Sequence, residues 1–237
     1  MAKTSWAVVL IVLCAISICT AAQTPSSALD LLKRGNTALS AGDWENAVKD
    51  FTIAIYLNSG YQSVPENSKS ADDEDCANIA TSDDFNAFAF NNRGIAHYRH
   101  GDLEKSIADF ERALRINPRL ADAYNNRGNV WHAKGVLEKA LPDFDQAIKL
   151  NPRHSRAFNN RANLRLSIGD LKGAINDYNR SIELDSTNAT AFANRGLTYL
   201  RLGQNKEARL DFDAATKLDP TLKKKLEELI HQERTIN

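Results

Sequence analysis

The chain is poor in the residues that mark many function classes. Of its 237 residues only 3 are cysteine, 6 proline and 1 methionine, and 30 basic side chains are balanced by 30 acidic ones. The missing charge excess argues against a general nucleic-acid binder, which needs a positive surplus to displace counterions from phosphates. The sequence holds no glycine-rich phosphate loop, no His-Glu-x-x-His and no Cys-x-x-Cys, so the motifs of nucleotide, zinc-protease and redox chemistry are absent. The histidines (His97, His100, His132, His154 and His231) are scattered and read as surface or packing residues, not ligands. No catalysis, metal or cofactor is expected. At 43% hydrophobic and 25% charged, the composition is still that of a folded chain.

Long apolar runs are also scarce. One spans Trp6 to Cys19, preceded by Lys3 and followed by Thr20-Ala21-Ala22. A positive start, an apolar stretch and small residues at the end predict a signal peptide over 1–22, cut after Ala22. The alternative is an uncleaved anchor, since the apolar stretch through Ala22 sits at the lower edge of spanning length. Both place the remainder outside the cytoplasm, periplasmic or secreted, with membrane contact only through this segment. Cleavage leaves one cysteine, Cys76. An odd thiol in an oxidising compartment gives no internal framework and points to a free Cys or a homodimer through Cys76.

What the chain does have is a period. Asn91-Asn92-Arg93-Gly94 recurs as Asn125-Asn126-Arg127-Gly128, Asn159-Asn160-Arg161-Ala162 and Ala193-Asn194-Arg195-Gly196, each step 34 residues. An aromatic lies four before the small residue, a glycine seven after it, and a second aromatic (Phe110, Phe144, Tyr178, Phe212) sixteen after it. Leu31, Arg34, Gly35, Gly42, Ala47 and Phe51 fit the same template upstream. The small residue lets two helices approach, and the aromatic fills the space beside it. The second glycine ends the first helix in a left-handed turn. Asp43, Asp102 and Asp170 are expected to cap the next helix. Each unit is thus an antiparallel helix pair that buries its apolar face only by stacking. The expected boundaries are 28–61, 87–120, 121–154, 155–188 and 189–220, with an insertion at 62–86 and a capping helix at 221–237. Pro142 within a second helix predicts a local kink.

The 34-residue period with these landmarks resembles the tetratricopeptide repeat (TPR) family over about five units of the chain. The resemblance implies an all-α fold, a right-handed α-solenoid with a C-terminal capping helix, and a non-enzymatic role binding a protein or peptide. The departures are Arg where the family usually has Leu, Arg165 for an aromatic and Ser186 for Pro.

Sixteen residues after each repeated Arg comes an Asp. An Arg near a helix seam needs a partner, so Arg34–Asp50, Arg93–Asp109, Arg127–Asp143, Arg161–Asp177 and Arg195–Asp211 are expected to be structural ion pairs. The alternative is an arginine stripe for phosphate. The asparagines are different. In TPR proteins the first helices line a concave groove, and the resemblance implies that Asn92, Asn126, Asn160 and Asn194 face it as a ladder holding peptide backbone. Asn125, Asn129, Asn159 and Asn163 are expected to widen the strip. An amide offers a donor and an acceptor, matching an extended peptide whatever its side chains. The basic residues with which some TPR members clamp chaperone C-termini are missing: Leu32, Asp122 and Asn126 stand where they belong.

The insertion is acidic, and residues 23–86 carry 4 basic and 11 acidic groups against 25 and 19 in 87–237. Two functions follow as expectations. One is an interaction scaffold gripping an extended peptide or partner helix, in envelope or periplasmic assembly. The other is a self-associating structural component of an envelope complex.

Overall fold

The structure, a computed structural model, describes residues 27–58 and 83–236. The signal peptide, Cys76 and most of the 62–86 insertion lie outside the described residues. Eleven helices and no strands are found among them. Their order is α1 (Ala28–Ala41), α2 (Trp44–Asn58), α3 (Asp83–His100), α4 (Leu103–Ile116), α5 (Ala121–Ala133), α6 (Leu137–Leu150), α7 (Ser155–Ser167), α8 (Leu171–Leu184), α9 (Ala189–Arg201), α10 (Asn205–Leu218) and α11 (Leu222–Ile236). Odd and even helices up to α10 form five pairs. The second pair begins at Asp83, four residues before the expected boundary, because α3 gains an extra N-terminal turn. Phe85 from that turn packs into the core formed by Ile55, Phe90 and Leu114, and Asn86 accepts a hydrogen bond from Asn58.

Within each pair the approach is set by the small residue. A Cβ built on Gly94 or Gly128 falls 2.8 Å from the Phe110 or Phe144 ring, so only hydrogen fits while the ring stays put. Phe51, Phe110, Phe144 and Tyr178 are fully buried as a result. The turn between the two helices takes a left-handed glycine every time: Gly42, Gly101, Gly135, Gly169 and Gly203 have φ between 72° and 98°, a region that penalises any side chain.

The expected caps are met in two of three cases. Asp43 and Asp170 accept backbone N–H groups from Asn46 (3.3 Å) and Gly173 (2.9 Å). Asp102 does not cap α4. Its carboxylate turns to the His100 ring at 3.3 Å, with His97 and Lys105 also close, and three cationisable neighbours outweigh one N–H. The units close by a device that the prolines obscure. Asn117, Asn151, Asp185 and Asp219 each accept the backbone N–H two residues on, at 2.9–3.0 Å. These are Asx turns, in which a side chain stands in for a backbone carbonyl. Ser186 therefore replaces Pro without harm, since Asp185 makes the turn. Pro142 sits inside α6 and leaves the Glu138 carbonyl without its usual partner.

Stacking gives the array its curvature. Each even helix packs on the following odd helix. Odd helices also touch the next odd helix, α1 on α3, α3 on α5, α5 on α7 and α7 on α9, whereas successive even helices make no comparable contact. The odd helices are therefore crowded on the inside of a bend, with the even helices spread outside. At the far end α11 buries Leu226 and shows Lys223, Lys224, Glu227 and Glu228 to solvent.

Candidate functional site: the inner helices and their seams

Each repeated arginine leaves an odd helix and meets the aspartate of its own even helix with two parallel hydrogen bonds. Arg93 Nε and Nη2 lie 2.7 and 2.8 Å from Asp109 Oδ2 and Oδ1. Arg127–Asp143 (2.9 and 2.8 Å), Arg161–Asp177 (2.8 and 2.7 Å) and Arg195–Asp211 (2.8 and 2.6 Å) repeat the geometry. Arg34 makes the same fork onto Asp50. The guanidinium groups also sit over the aromatic three residues earlier, 5.3–5.6 Å from Phe90, Tyr124, Phe158 and Phe192. Hydrogen bonds to the aspartates hold Arg127 and Arg195 above the ordinary arginine value. With both carboxylate oxygens engaged and the cations partly covered, these arginines are stitches between helices, not an open phosphate stripe.

Spacing within one unit gave no sign of the third arm. Arg93 Nη1 donates to Thr52 (3.0 Å), Arg161 Nη1 to Asp145 (2.7 Å) and Arg195 Nη1 to Asn179 (2.7 Å). Each acceptor follows the buried aromatic of the preceding unit. One guanidinium therefore ties two units together. The signal was present as the polar residue after each aromatic (Thr52, Asp145, Asn179), but only register across the seam shows its use. Arg165, in place of an aromatic, adds a second donor to Asp177 at 2.9 Å.

The asparagines form a chain of their own. Asn92 donates to Asn36 (2.9 Å), Asn126 to Asn91 (3.0 Å) and Asn160 to Asn125 (2.9 Å), all between neighbouring odd helices. Within a helix Asn91 donates to Asn92 and Asn125 to Asn126 at 3.0 and 3.3 Å. Asn92, Asn126, Asn160 and Asn194 are half-buried and lie along the crowded inner side. Asn125 is only 3% exposed, which corrects the expectation that it widens the accessible strip: it is a buried link between units. Asn159 is half-buried, but its carbonyl oxygen is buried without a partner. The asparagine that the pattern would bring to it, Asn194, lies in the fifth unit beside Ala193, where the second, third and fourth units have a further asparagine. There Asn194 donates to Asn163 instead (2.9 Å), an oxygen that also accepts the Tyr178 hydroxyl at 2.6 Å. Asn129, half-buried, stands beside the chain without joining it.

Other polar groups pair locally. Asp122 lies 3.2 Å from the His154 ring, and that neighbour holds its carboxyl below the usual range. Burial pushes His97 and His132 below the ordinary histidine value. No cluster of three metal-ligating side chains is found among the described residues, and no described helix is long and apolar enough to cross a membrane.

Comparison with known proteins fits this architecture. Family models described as TPR repeat match residues 94–135 and 162–203, and those described as tetratricopeptide repeat match 121–154 and 189–222. The chain belongs to the tetratricopeptide repeat family. Among solved structures, YrrB ("a TPR protein with an unusual peptide-binding site") is 20% identical, with a TM-score of 0.56 over 88% of this chain and 92% of that one. MamA is 18% identical, with a TM-score of 0.57 over 80% and 96%. Likeness at this identity shows the fold alone. No curated protein matches. The TPR assignment makes the chain a protein–protein interaction scaffold, of a family that is generally non-enzymatic.

Proposed function

We propose that this scaffold holds an extended segment of a partner protein along its inner face, in a compartment outside the cytoplasm. The observation that carries the reading is the valence left on the asparagine chain. Asn92, Asn126 and Asn160 each use one N–H on the neighbouring unit and one oxygen lone pair on the preceding residue. A primary amide has two N–H groups and two lone pairs, so each keeps one donor and one acceptor. Those are the needs of one peptide unit in an extended strand, repeated at each helix pair. The bonds between units fix the amides in place beforehand, which lowers the ordering cost of binding. YrrB, by its description a peptide-binding TPR protein, lends the reading support. The leader-like residues 1–22 support the location.

The test must separate grip from fold, because Asn126 also stitches units. Affinity capture from the native envelope fraction is expected to lose its partner with Asn92, Asn126, Asn160 and Asn194 changed to Ala. It is expected to weaken with Asn129→Ala, which breaks no bond between units and leaves the melting temperature unchanged. Equal capture by all forms would overturn the reading. Fractionation with N-terminal sequencing tests the location, and an intact N-terminus in the cytoplasm would refute it.

A further inference from the structure

The last even helix ends the array differently from the others. In the inner units the even helix is closely covered by the next odd helix; α10 and α11 touch only lightly. Between them opens a cleft of about 940 Å³ whose floor includes Phe212 and Leu226. Its wall has changed character. The position occupied by Val48, Ile107, Leu141 and Ile175 in the other units is Arg209 here, and that of Ile55, Leu114, Ile148 and Ile182 is Thr216. Lys206, Arg209, Lys217 and Lys223 surround the cleft, and among the described residues none has a carboxylate within ion-pair distance. Every ladder arginine has one. The cleft does carry Asp213 and Glu227, so its cationic excess is two.

The other half of the chain has the opposite surplus. Asp72-Asp73-Glu74-Asp75, followed by Cys76, Ala77, Ile79 and Ala80, lies between α2 and α3. It joins a run of charges and small apolar groups, as the cleft joins cations and an apolar floor. In sequence the stretch joins the first and second units whereas the cleft follows the fifth, and the helix contacts among the described residues run between neighbouring units. We propose that the cleft between α10 and α11 receives the acidic stretch at 72–80 of a second copy of this chain. Such a contact is head-to-tail. It leaves a cleft and an acidic stretch free at either end, and so builds open chains, not closed dimers. It uses none of the asparagine strip and stands apart from the peptide reading.

Light scattering after size exclusion, under reductant to remove any Cys76 disulfide, tests it. For the wild type at low salt, the mass is expected to rise with protein concentration past the dimer. At about 0.5 M NaCl, where charges are screened within a few ångströms, it should return to the monomer. The cleft variant K206E/R209E/K217E and the stretch variant D72K/D73K/E74K are each expected to remain monomeric alone, with wild-type melting curves. Mixed together they are expected to associate again, because each reversed surface then meets its complement. Asn129→Ala should associate like the wild type. A wild type that is monomeric throughout, a cleft variant that still associates, or a mixture that does not, would each overturn the proposal.

Discussion

The first unit and the second contain the same ion pair at the same sixteen-residue spacing, and it does different work in each. Arg34 has a side chain 49% exposed, whereas Arg93 is 4% exposed. Both grip their aspartate with two nitrogens, but Arg93 has Thr52 of the preceding unit for its third arm, and among the described residues no unit lies before the one that holds Arg34. The difference shows that a repeat sequence encodes half of each joint. The neighbour supplies the burial and the last hydrogen bond.

The largest break in that comparison comes from removing the cation. Arg93→Ala strands Asp109 in the interior and is expected to cost about 3–5 kcal/mol, as for other broken buried pairs. Arg34→Ala should cost less, about 1–3 kcal/mol: Asp50 is itself only 3% exposed, but the half-exposed guanidinium leaves a space that water can enter. Urea melts of the two variants measure the gap; equal losses would mean that stacking adds nothing to the pair. Phe144→Ala, which empties an inner core, should fall in the same upper range, about 3–5 kcal/mol.

Next comes crowding. Gly128→Ala places a methyl 2.8 Å from the Phe144 ring and should cost about 1–3 kcal/mol by overpacking. The fourth unit already has Ala162 beside Tyr178, so Ala162→Gly there should instead cost about 1 kcal/mol in helix propensity. A gain from Ala162→Gly would show that the fourth pair is strained too.

A smaller change should stabilise. Ala193→Asn gives the fifth unit the asparagine pair of its neighbours and frees Asn194 to meet the unpartnered Asn159 oxygen. The expected gain is about 0.5–1.5 kcal/mol, one hydrogen bond's worth, read as a higher urea midpoint.

Last, pH acts on inner joints alone, because Ala38 stands in the first unit where His97 stands in the second. Burial lowers the His97 value from 6.5, against the pull of Asp109 and Asp102 and with that of Arg93 and Lys105. The unfolded chain then binds the proton more readily than the folded one. The contribution is whole above pH 6.5 and fades as pH falls towards the lowered folded value. Melting temperature should therefore drop between about pH 7.5 and about pH 5.5, and His97→Gln should flatten that slope. His132, lowered by burial as well, acts in the same sense.

Much of this was readable beforehand, for a definite reason. The 34-residue period, the left-handed glycines and the sixteen-residue Arg–Asp spacing are local relations, fixed within one helix pair. The rest depends on the seam between units. Asn125 looked like part of an open strip because nothing in a single unit reveals that Asn160 reaches across to it. Asp102 has the sequence position of a cap, but His97 and His100 close on it in three dimensions. The extra turn of α3 was hidden because Phe85 and Asn86 find their partners on α2, on the far side of the insertion.

The asparagine chain has one more consequence. Because its amides are aligned only where two pairs are in contact, peeling a terminal pair off would misalign the amides nearest to it. A guest lying along several pairs would accordingly act as a splint, slowing fraying from either end. Grip and shape would be lost by the same opening.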